Sequence, residues 1–163
     1  MADAFETGLI EALPVLRRYA LSMCRKPDIA DDLVQTTVER AIAARTRFDP
    51  SMRLEPWLFR ILRNAWIDSA RRSGTRGVEI DITDAPEAAV HDGARATEAA
   101  LMLRQTQAAL AMLPAEQREV IVLVCIEGLS YAEAAEVLEI PRGTVMSRLA
   151  RGRVALAEKM GIE

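Results

Sequence analysis

The stretch that most constrains the fold is EGLSYAEAAEVLEIPRGTVMSRLARGR, which begins at Glu127 and ends at Arg153. Its residue types predict a short helix, a tight turn and a second helix. The Ser130 side chain can cap the first helix, and the Glu133 side chain can in turn accept a hydrogen bond from the backbone N–H of Ser130. This reciprocal arrangement is called a capping box. Pro141 suits the first position of the second helix because the N–H that proline lacks would have no partner there.

The second helix of this pair has two different sides, because successive residues turn by about 100°. The side that can be buried consists of Val145, Leu149, Gly152 and Leu156. The opposite side carries small and polar residues, namely Gly143, Thr144, Met146, Ser147, Ala150 and Arg151. Residues 141–159 hold five basic side chains and one acid. A narrow, basic helix of this kind suits the DNA major groove. The alternative is an ordinary helical hairpin with a solvated basic face.

Composition argues against several functional classes. No segment approaches the roughly 20 apolar residues of a membrane span, and the first residues lack the basic and apolar regions of a secretory signal. Cys24 and Cys125 are isolated, and His91 is the one histidine. The sequence therefore predicts no metal site, no disulfide, no cofactor and no small-molecule substrate. We expect a cytoplasmic protein with both cysteines in its core.

Apolar residues recur at helical spacing through most of the chain. The helices predicted before the terminal pair cover residues 5–24, 29–46, 54–72 and 97–112, followed by one that starts at Leu113-Pro114. The pattern of the first helix consists of Leu9, Ile10, Leu13, Leu16, Tyr19, Ala20 and Met23. Residues 74–96 contain three glycines, a proline and five acids without a helical period, which predicts a flexible, mostly extended linker.

The predicted fold is all-α, with two small helical bundles joined by a flexible acidic linker. The first bundle comprises residues 1–73, the linker residues 74–96, and the second bundle, which contains the helix-turn-helix, residues 97–163. The net charge of −3 is unusual for a DNA-binding protein, but it is unevenly distributed. Residues 40–72 carry eight arginines and three acids, so both basic regions coincide with candidate nucleic-acid surfaces.

The helix predicted at 54–72 carries one polar stripe on an apolar rod. The stripe consists of Trp57, Arg60, Asn64, Asp68 and Arg71, and the loop before it contains Arg47, Phe48, Met52 and Arg53. Such residues suit a strand with unpaired bases, because bases stack on rings, phosphates pair with arginine and an amide reads a base edge. Equally, the stripe could be the solvent-exposed face of a helix in a bundle, with Asp68 paired to Arg71 or Arg72.

Three segments together resemble the bacterial extracytoplasmic-function (ECF, group IV) sigma factors of RNA polymerase. They read ADDLVQTTVERAIAA, RLEPWLFRILRNAWIDSARR and LPAEQREVIVLVCIEGLSYAEAAEVLEIPRGTVMSRLARGR, and they follow the order and spacing of that family. They cover most of the chain. The segment VEIDITDAPE and the chain length also resemble the subgroup that drives the general stress response.

The resemblance implies three binding surfaces. Contact with core RNA polymerase, at the clamp coiled coil of its largest subunit, is implied for Asp31, Asp32, Gln35 and Glu39, and the flap is a second implied contact. Contact with the −10 element of promoter DNA is implied for Arg47, Phe48, Met52, Arg53, Trp57, Arg60 and Asn64. Contact with the −35 element is implied for Arg142, Thr144, Met146, Ser147, Arg148, Ala150 and Arg151. An anti-sigma factor is a further implied partner.

Two positions depart from the family pattern. Thr36 stands where the family usually has a glutamate, in the implied clamp contact. Met146 stands where many members have Arg or Lys, which removes one bidentate donor from the recognition helix. The −35 sequence therefore cannot be assigned from the chain.

Three rival functions remain beside the sigma factor. A sigma-like decoy would capture an anti-sigma protein, but the arginine, asparagine and serine positions at both DNA surfaces are retained. An autonomous helix-turn-helix repressor would need a dimer surface, which only the apolar helices could offer. An enzyme would need a nucleophile with its base, a metal set or a phosphate-binding loop, and the sequence shows none of these.

Overall fold

In a computed structural model of the protein, which describes residues 1–73 and 97–162, every regular element is helical. The predicted linker at 74–96 lies outside these described residues. The all-α fold class is confirmed. Of the helices in these two ranges, none is both long enough and apolar enough to cross a membrane.

The first half of the chain forms three helices. They are α1 (Ala4–Cys24), α2 (Pro27–Ala43) and α3 (Leu54–Arg72), with a single 3₁₀ turn (Arg45–Arg47) after α2. Asp3 caps α1 by accepting a hydrogen bond from the Glu6 amide at 2.9 Å. The predicted end of the second helix at residue 46 is too late, because its last residues tighten into the 3₁₀ turn.

Helix α1 continues through Pro14, which cannot donate the usual bond to the carbonyl of Ile10. Ile10 is 62% exposed, so this apolar member of the pattern faces solvent rather than the core. The rest of the α1 prediction holds at its centre, where Leu16, Tyr19 and Ala20 are fully buried. Tyr19 meets Phe59 of α3 edge to face, with ring centroids 5.1 Å apart.

The second half begins with α4 (Glu98–Ala111) and α5 (Ala115–Ile121), and α5 runs into a π-helical turn (Val122–Ile126). It ends with α6 (Tyr131–Leu138) and α7 (Arg142–Met160). The buried guanidinium of Arg118 donates to the carbonyls of Ala111 and Leu113, each at 3.3 Å. This pairing satisfies carbonyls that the end of α4 leaves open, and burial lowers the pKa of Arg118.

The two cysteines have different environments. Cys24 is buried at the end of α1, as expected, but Cys125 is exposed, so its expected place in the core is wrong. The physical reason is the π turn, in which the Glu127 amide bonds the Val122 carbonyl five residues back at 2.9 Å. The wider turn shifts the side-chain positions, so Cys125 and Ile126 face outward while Val122 and Leu123 remain buried.

The two halves pack against each other. Helix α3 lies along α6, and α1 contacts α5 and the π turn that follows it. Buried side chains of both halves belong to one continuous apolar cluster. This packing places the loop before α3, predicted to contact DNA, beside the helix-turn-helix of the second half.

Candidate nucleic-acid and polymerase interfaces

The turn between α6 and α7 is built by local signals. The predicted capping box is confirmed, because Ser130 Oγ accepts from the Glu133 amide at 3.1 Å and Glu133 Oε1 accepts from the Ser130 amide at 3.0 Å. Glu139 ends α6 in the left-handed region at φ 55°. Pro141 is the N-cap of α7, one position earlier than expected.

The inner side of α7 fixes the helix against α5. Val145, Leu149 and Gly152 are buried, as the sequence predicts. A Cβ on Gly152 would lie 2.9 Å from Ile121 Cδ1 and 3.3 Å from Gln117 Cβ, so a larger residue at this position would force these neighbours to shift. The orientation of the opposite side of α7 is therefore set by tight packing.

That opposite side faces solvent. Arg142, Met146, Ser147, Ala150 and Arg151 are exposed, whereas Thr144 and Arg148 are half-buried. Arg148 approaches Glu116 at 3.6 Å, and Ser147 Oγ donates to the Thr144 carbonyl at 3.1 Å. Within the described ranges, Arg142 and Arg151 form no ion pair. The outer side of α7 thus presents two free guanidinium groups and a hydroxyl at one surface.

The loop before α3 is an ordered turn. Asp49 Oδ1 accepts from the amide and the hydroxyl of Ser51, at 2.9 and 2.7 Å, and these bonds lower the pKa of Asp49. The Met52 amide closes the turn on the Asp49 carbonyl at 3.0 Å. Arg47 and Met52 are exposed on either side of it.

The two aromatic side chains at the predicted −10 surface contact each other. The ring centroids of Phe48 and Trp57 are 5.1 Å apart, and both residues are half-buried. Phe5 of α1 joins them, at 6.0 Å from Phe48 and 6.2 Å from Trp57. Sequence reasoning missed Phe5, because nothing in the local pattern places α1 beside this loop. The cluster holds the loop against the bundle.

The polar side chains of the stripe on α3 contact different elements of the fold. Asp68 pairs with Arg40 of α2 at 2.9 Å, so the alternative pairing with Arg71 or Arg72 is wrong. The reason is that α2 crosses α3 and supplies a closer cation than the neighbouring turn. Asn64 is half-buried and precedes Asp68 by four residues on the same helix.

Two arginines predicted to contact DNA reach across to the second half. Arg53 Nη1 donates to both carboxylate oxygens of Glu133, at 3.0 and 3.2 Å. Arg60 Nη2 donates to Glu139 Oε1 at 3.1 Å. Both arginine side chains are about half exposed. No local sequence pattern indicates these pairs, because they join residues about 80 positions apart.

The predicted polymerase-binding residues of α2 lie near one another on its exposed side. Asp31, Gln35 and Glu39 follow each other at four-residue spacing, which puts them on one face of the helix. Gln35 Nε2 donates to Glu39 Oε1 at 3.3 Å, and Asp31 pairs with Arg17 of α1 at 2.9 Å. Asp32 is exposed next to this face.

A second polar cluster joins the halves where they are more deeply buried. Glu119 Oε1 accepts from Tyr19 Oη at 2.8 Å and from Arg63 Nε at 2.7 Å. Burial, together with the carboxylate of Glu119, raises the pKa of Tyr19 well above its ordinary value. This cluster ties α1 and α3 to α5.

The two halves match two parts of one protein family. Residues 9–76 match Sigma-70 region 2, and residues 103–156 match Sigma-70, region 4. The ECF RNA polymerase sigma factor EcfG of Rhodopseudomonas palustris (strain TIE-1) is 35% identical over 163 residues, which cover all of this chain and 88% of EcfG. The chain belongs to the ECF sigma factors of RNA polymerase. Members of this family are transcription initiation factors that bind core RNA polymerase and promoter DNA, and they are not enzymes.

Two solved structures share the fold of this chain. The sigma factor RpoE from Bartonella quintana, in complex with the anti-sigma factor NepR, superposes with a TM-score of 0.79 at 35% identity, covering 99% of both chains. CnrH, in complex with the cytosolic domain of CnrY, superposes with a TM-score of 0.68 at 31% identity, covering 97% of this chain and 88% of CnrH.

Proposed function

We propose that this ECF sigma factor directs core RNA polymerase to promoters by reading a −35 element with α7 and a −10 element with α3 and the loop before it. It then takes part in melting the DNA at the −10 element. The observation that carries the proposal is the pairing of two chemically different DNA surfaces, one on each half of the chain. The functional division follows domains at 1–73 and 97–163, with residues 74–96 between them.

For the −35 element, the outer side of α7 supplies the contacts. Arg151 and Ser147 would read base edges in the major groove, while Arg142 and Arg148 would bind phosphates. Thr144, Met146 and Ala150 would line the groove with small or flexible groups. The support is that this side of α7 is solvent-exposed at its centre and is backed by the glycine contact at Gly152.

For the −10 element, the loop before α3 and α3 itself would both supply contacts. Arg47, Arg53 and Arg60 would bind the backbone of an opened strand, and Met52 and Asn64 would contact an unpaired base. Phe48 and Trp57 are already packed on each other and on Phe5, so their first role would be to hold the loop in position. Their exposed edges remain available to a base.

For core polymerase, the contact would be the face of α2 that carries Asp31, Asp32, Gln35 and Glu39. These residues present three carboxylates and an amide, a surface that suits a basic partner. Arg17 is already paired with Asp31, so Asp32 supplies the carboxylate without a partner within the described ranges.

Regulation by an anti-sigma factor is a part of the proposal that rests on relatives. RpoE from Bartonella quintana is found with NepR, and CnrH with CnrY, and both resemble this chain over nearly its full length. We infer that this sigma factor is likewise held by an anti-sigma protein and released to transcribe stress-response genes.

In vitro transcription from a pool of genomic fragments, with the RNA 5′ ends mapped, tests the proposal. Core polymerase plus this chain should start at positions that core alone does not use, and two shared motifs should precede those starts. A decoy would give no new starts while still binding an anti-sigma protein. A repressor would bind DNA tightly without polymerase. Either result would reject the proposal.

A further inference from the structure

Met146 is an apolar side chain at the centre of the otherwise polar outer side of α7. It is 51% exposed, and the residues one turn away on the same face are Arg142 and Ala150. Ser147, the next residue, and Arg151 are exposed beside it. A single exposed apolar side chain is common on protein surfaces. This one lies on the surface that is proposed to enter the major groove, so its chemistry bears on which bases the helix reads.

The neighbours of Met146 leave room for a base to approach it. Gly143, three residues earlier, has no side chain, and a Cβ added there would have no atom within 4 Å. Ala150, four residues later, contributes only a methyl group. The adjacent Val145 is fully buried, so it fixes the backbone that carries Met146. Met146 itself does not belong to the apolar core cluster of the described residues, so its end is open to contact.

The groups that a base pair presents in the major groove limit what Met146 can read. They are hydrogen-bond donors and acceptors, together with one apolar group, the 5-methyl group of thymine. A methionine side chain has no hydrogen-bond donor, and its sulfur is only a weak acceptor. The side chain is flexible and polarisable, which suits close contact with an apolar group. Of the four bases, thymine is therefore the one that Met146 is equipped to recognise.

We propose that Met146 is a specificity-determining residue, which selects a thymine in the −35 element by burying the 5-methyl group of that base against its side chain. This inference rests on the proposed function, since it needs α7 to lie in the major groove. Ser147 and Arg151 hydrogen-bond to base edges next to this thymine. A cytosine at the same place would put its amino group, a donor, against a side chain that accepts hydrogen bonds poorly. Met146 thus favours a T·A pair over a C·G pair.

Replacing thymine with uracil removes only the 5-methyl group, so it isolates this contact. The probe is a duplex promoter fragment chosen from the start sites that in vitro transcription maps. Each thymine of its −35 element, on either strand, is replaced in turn by deoxyuridine. Holoenzyme made of core polymerase and the full chain is titrated against each fragment, and the ratio of the dissociation constants for the uracil and thymine fragments is measured.

The chain offers a matched control for Met146→Ala. Val154 is also apolar and 60% exposed on α7, but it lies eight residues, or about 12 Å, further along the helix. Because the N-terminal part of a recognition helix contacts the bases, Val154→Ala should leave the ratio unchanged. Met146→Leu, which keeps an apolar side chain of similar volume, should retain the ratio as well.

At one thymine, wild-type holoenzyme should bind the uracil fragment about two- to fivefold more weakly than the thymine fragment, as expected for the loss of one buried methyl group. Met146→Ala should bind the two fragments equally. A wild-type ratio of one at every thymine overturns the proposal. A ratio that Met146→Ala leaves unchanged also overturns it, and so does a −35 element without an A·T pair.

Failure of the proposed function would give a different result. Binding of the holoenzyme would then not depend on the −35 element, and Arg151→Ala would bind the thymine fragment as tightly as wild type does. If Arg151→Ala weakens binding but no uracil fragment does, α7 reads the −35 element and the role of Met146 as a base-reading residue is rejected.

Discussion

Arg18 on α1 and Glu127, 109 positions further along the chain, form a two-point ion pair with N–O distances of 2.6 and 2.8 Å. The Glu127 side chain is 2% exposed, and its hydrogen bond raises the pKa of Arg18. Because Arg18 itself is half exposed, the pair mainly fixes how the halves meet rather than adding a large share of stability. Its geometry shows that the two halves share a specific, charge-matched contact.

The exposed face of α2 should carry the affinity for core polymerase. Changing Asp32→Lys together with Gln35→Ala should weaken binding to core polymerase by about tenfold or more. The reason is that the new cation would face a partner surface that we expect to be basic. Helicity should not change, since both side chains are exposed. Glu11→Lys, on the exposed side of α1, is the charge-matched control. Normal assembly of the double variant would place the polymerase contact elsewhere.

Arg151 should read duplex DNA and not the opened strand. Arg151→Ala should cost about 1–3 kcal/mol in recruitment of holoenzyme to a closed promoter, as expected for one good base contact. A promoter with a pre-melted −10 region should not rescue the defect, as measured by gel-shift titration. Lys159→Ala, near the end of the same helix, should have little effect. Rescue by the melted template would assign Arg151 to strand opening.

Close packing at Gly152 should limit substitution there. Gly152→Ala should lower the free energy of unfolding by about 1–3 kcal/mol in urea denaturation, because its Cβ would meet Ile121. Gly143→Ala, in the first turn of the same helix, has no atom within 4 Å of the added Cβ. That variant should be neutral or gain up to about 1 kcal/mol. Equal effects of the two changes would contradict the packing described for α5 and α7.

Tyr19 should make the fold sensitive to alkaline pH. Its pKa is raised in the folded state, so the neutral phenol stabilises the fold below the unfolded pKa of about 10, and this contribution is lost as the pH rises above that value. The free energy of unfolding of wild type should therefore fall more steeply above about pH 10 than that of Tyr19→Phe. At neutral pH, the curves of the free energy of unfolding against pH should run parallel for wild type and Tyr19→Phe. Parallel curves throughout the alkaline range would show that Tyr19 ionises as freely in the folded chain as in the unfolded one.

Local signals explain what the sequence predicted correctly. The bounds of α3 agree with the prediction at 54–72, because Arg53-Leu54 begins a long apolar period and Ser73 ends it. The capping box at Ser130 and Glu133 depends only on residues three apart. The buried side of α7 follows from helical spacing alone.

Tertiary placement explains what the sequence could not predict. The pair of Arg40 with Asp68 depends on how α2 crosses α3. The exposure of Cys125 depends on a π turn that no residue type in the segment predicts. The contacts of Arg53 and Arg60 with the second half need both halves to be in place. The residue types that favour DNA binding also favour ion pairs with glutamate, so sequence alone cannot separate the two.

Permanganate reactivity of promoter thymines tests most directly whether polymerase carrying this chain opens DNA through the first half. With core polymerase and the wild-type chain, thymines in the −10 region should become reactive, while those in the −35 region stay paired. Asn64→Ala should reduce the reactivity at −10 without reducing protection of the −35 element. If no thymine becomes reactive with wild type, or if Asn64→Ala opens the −10 region as fully as wild type, the assignment of the first half to the opened strand is wrong.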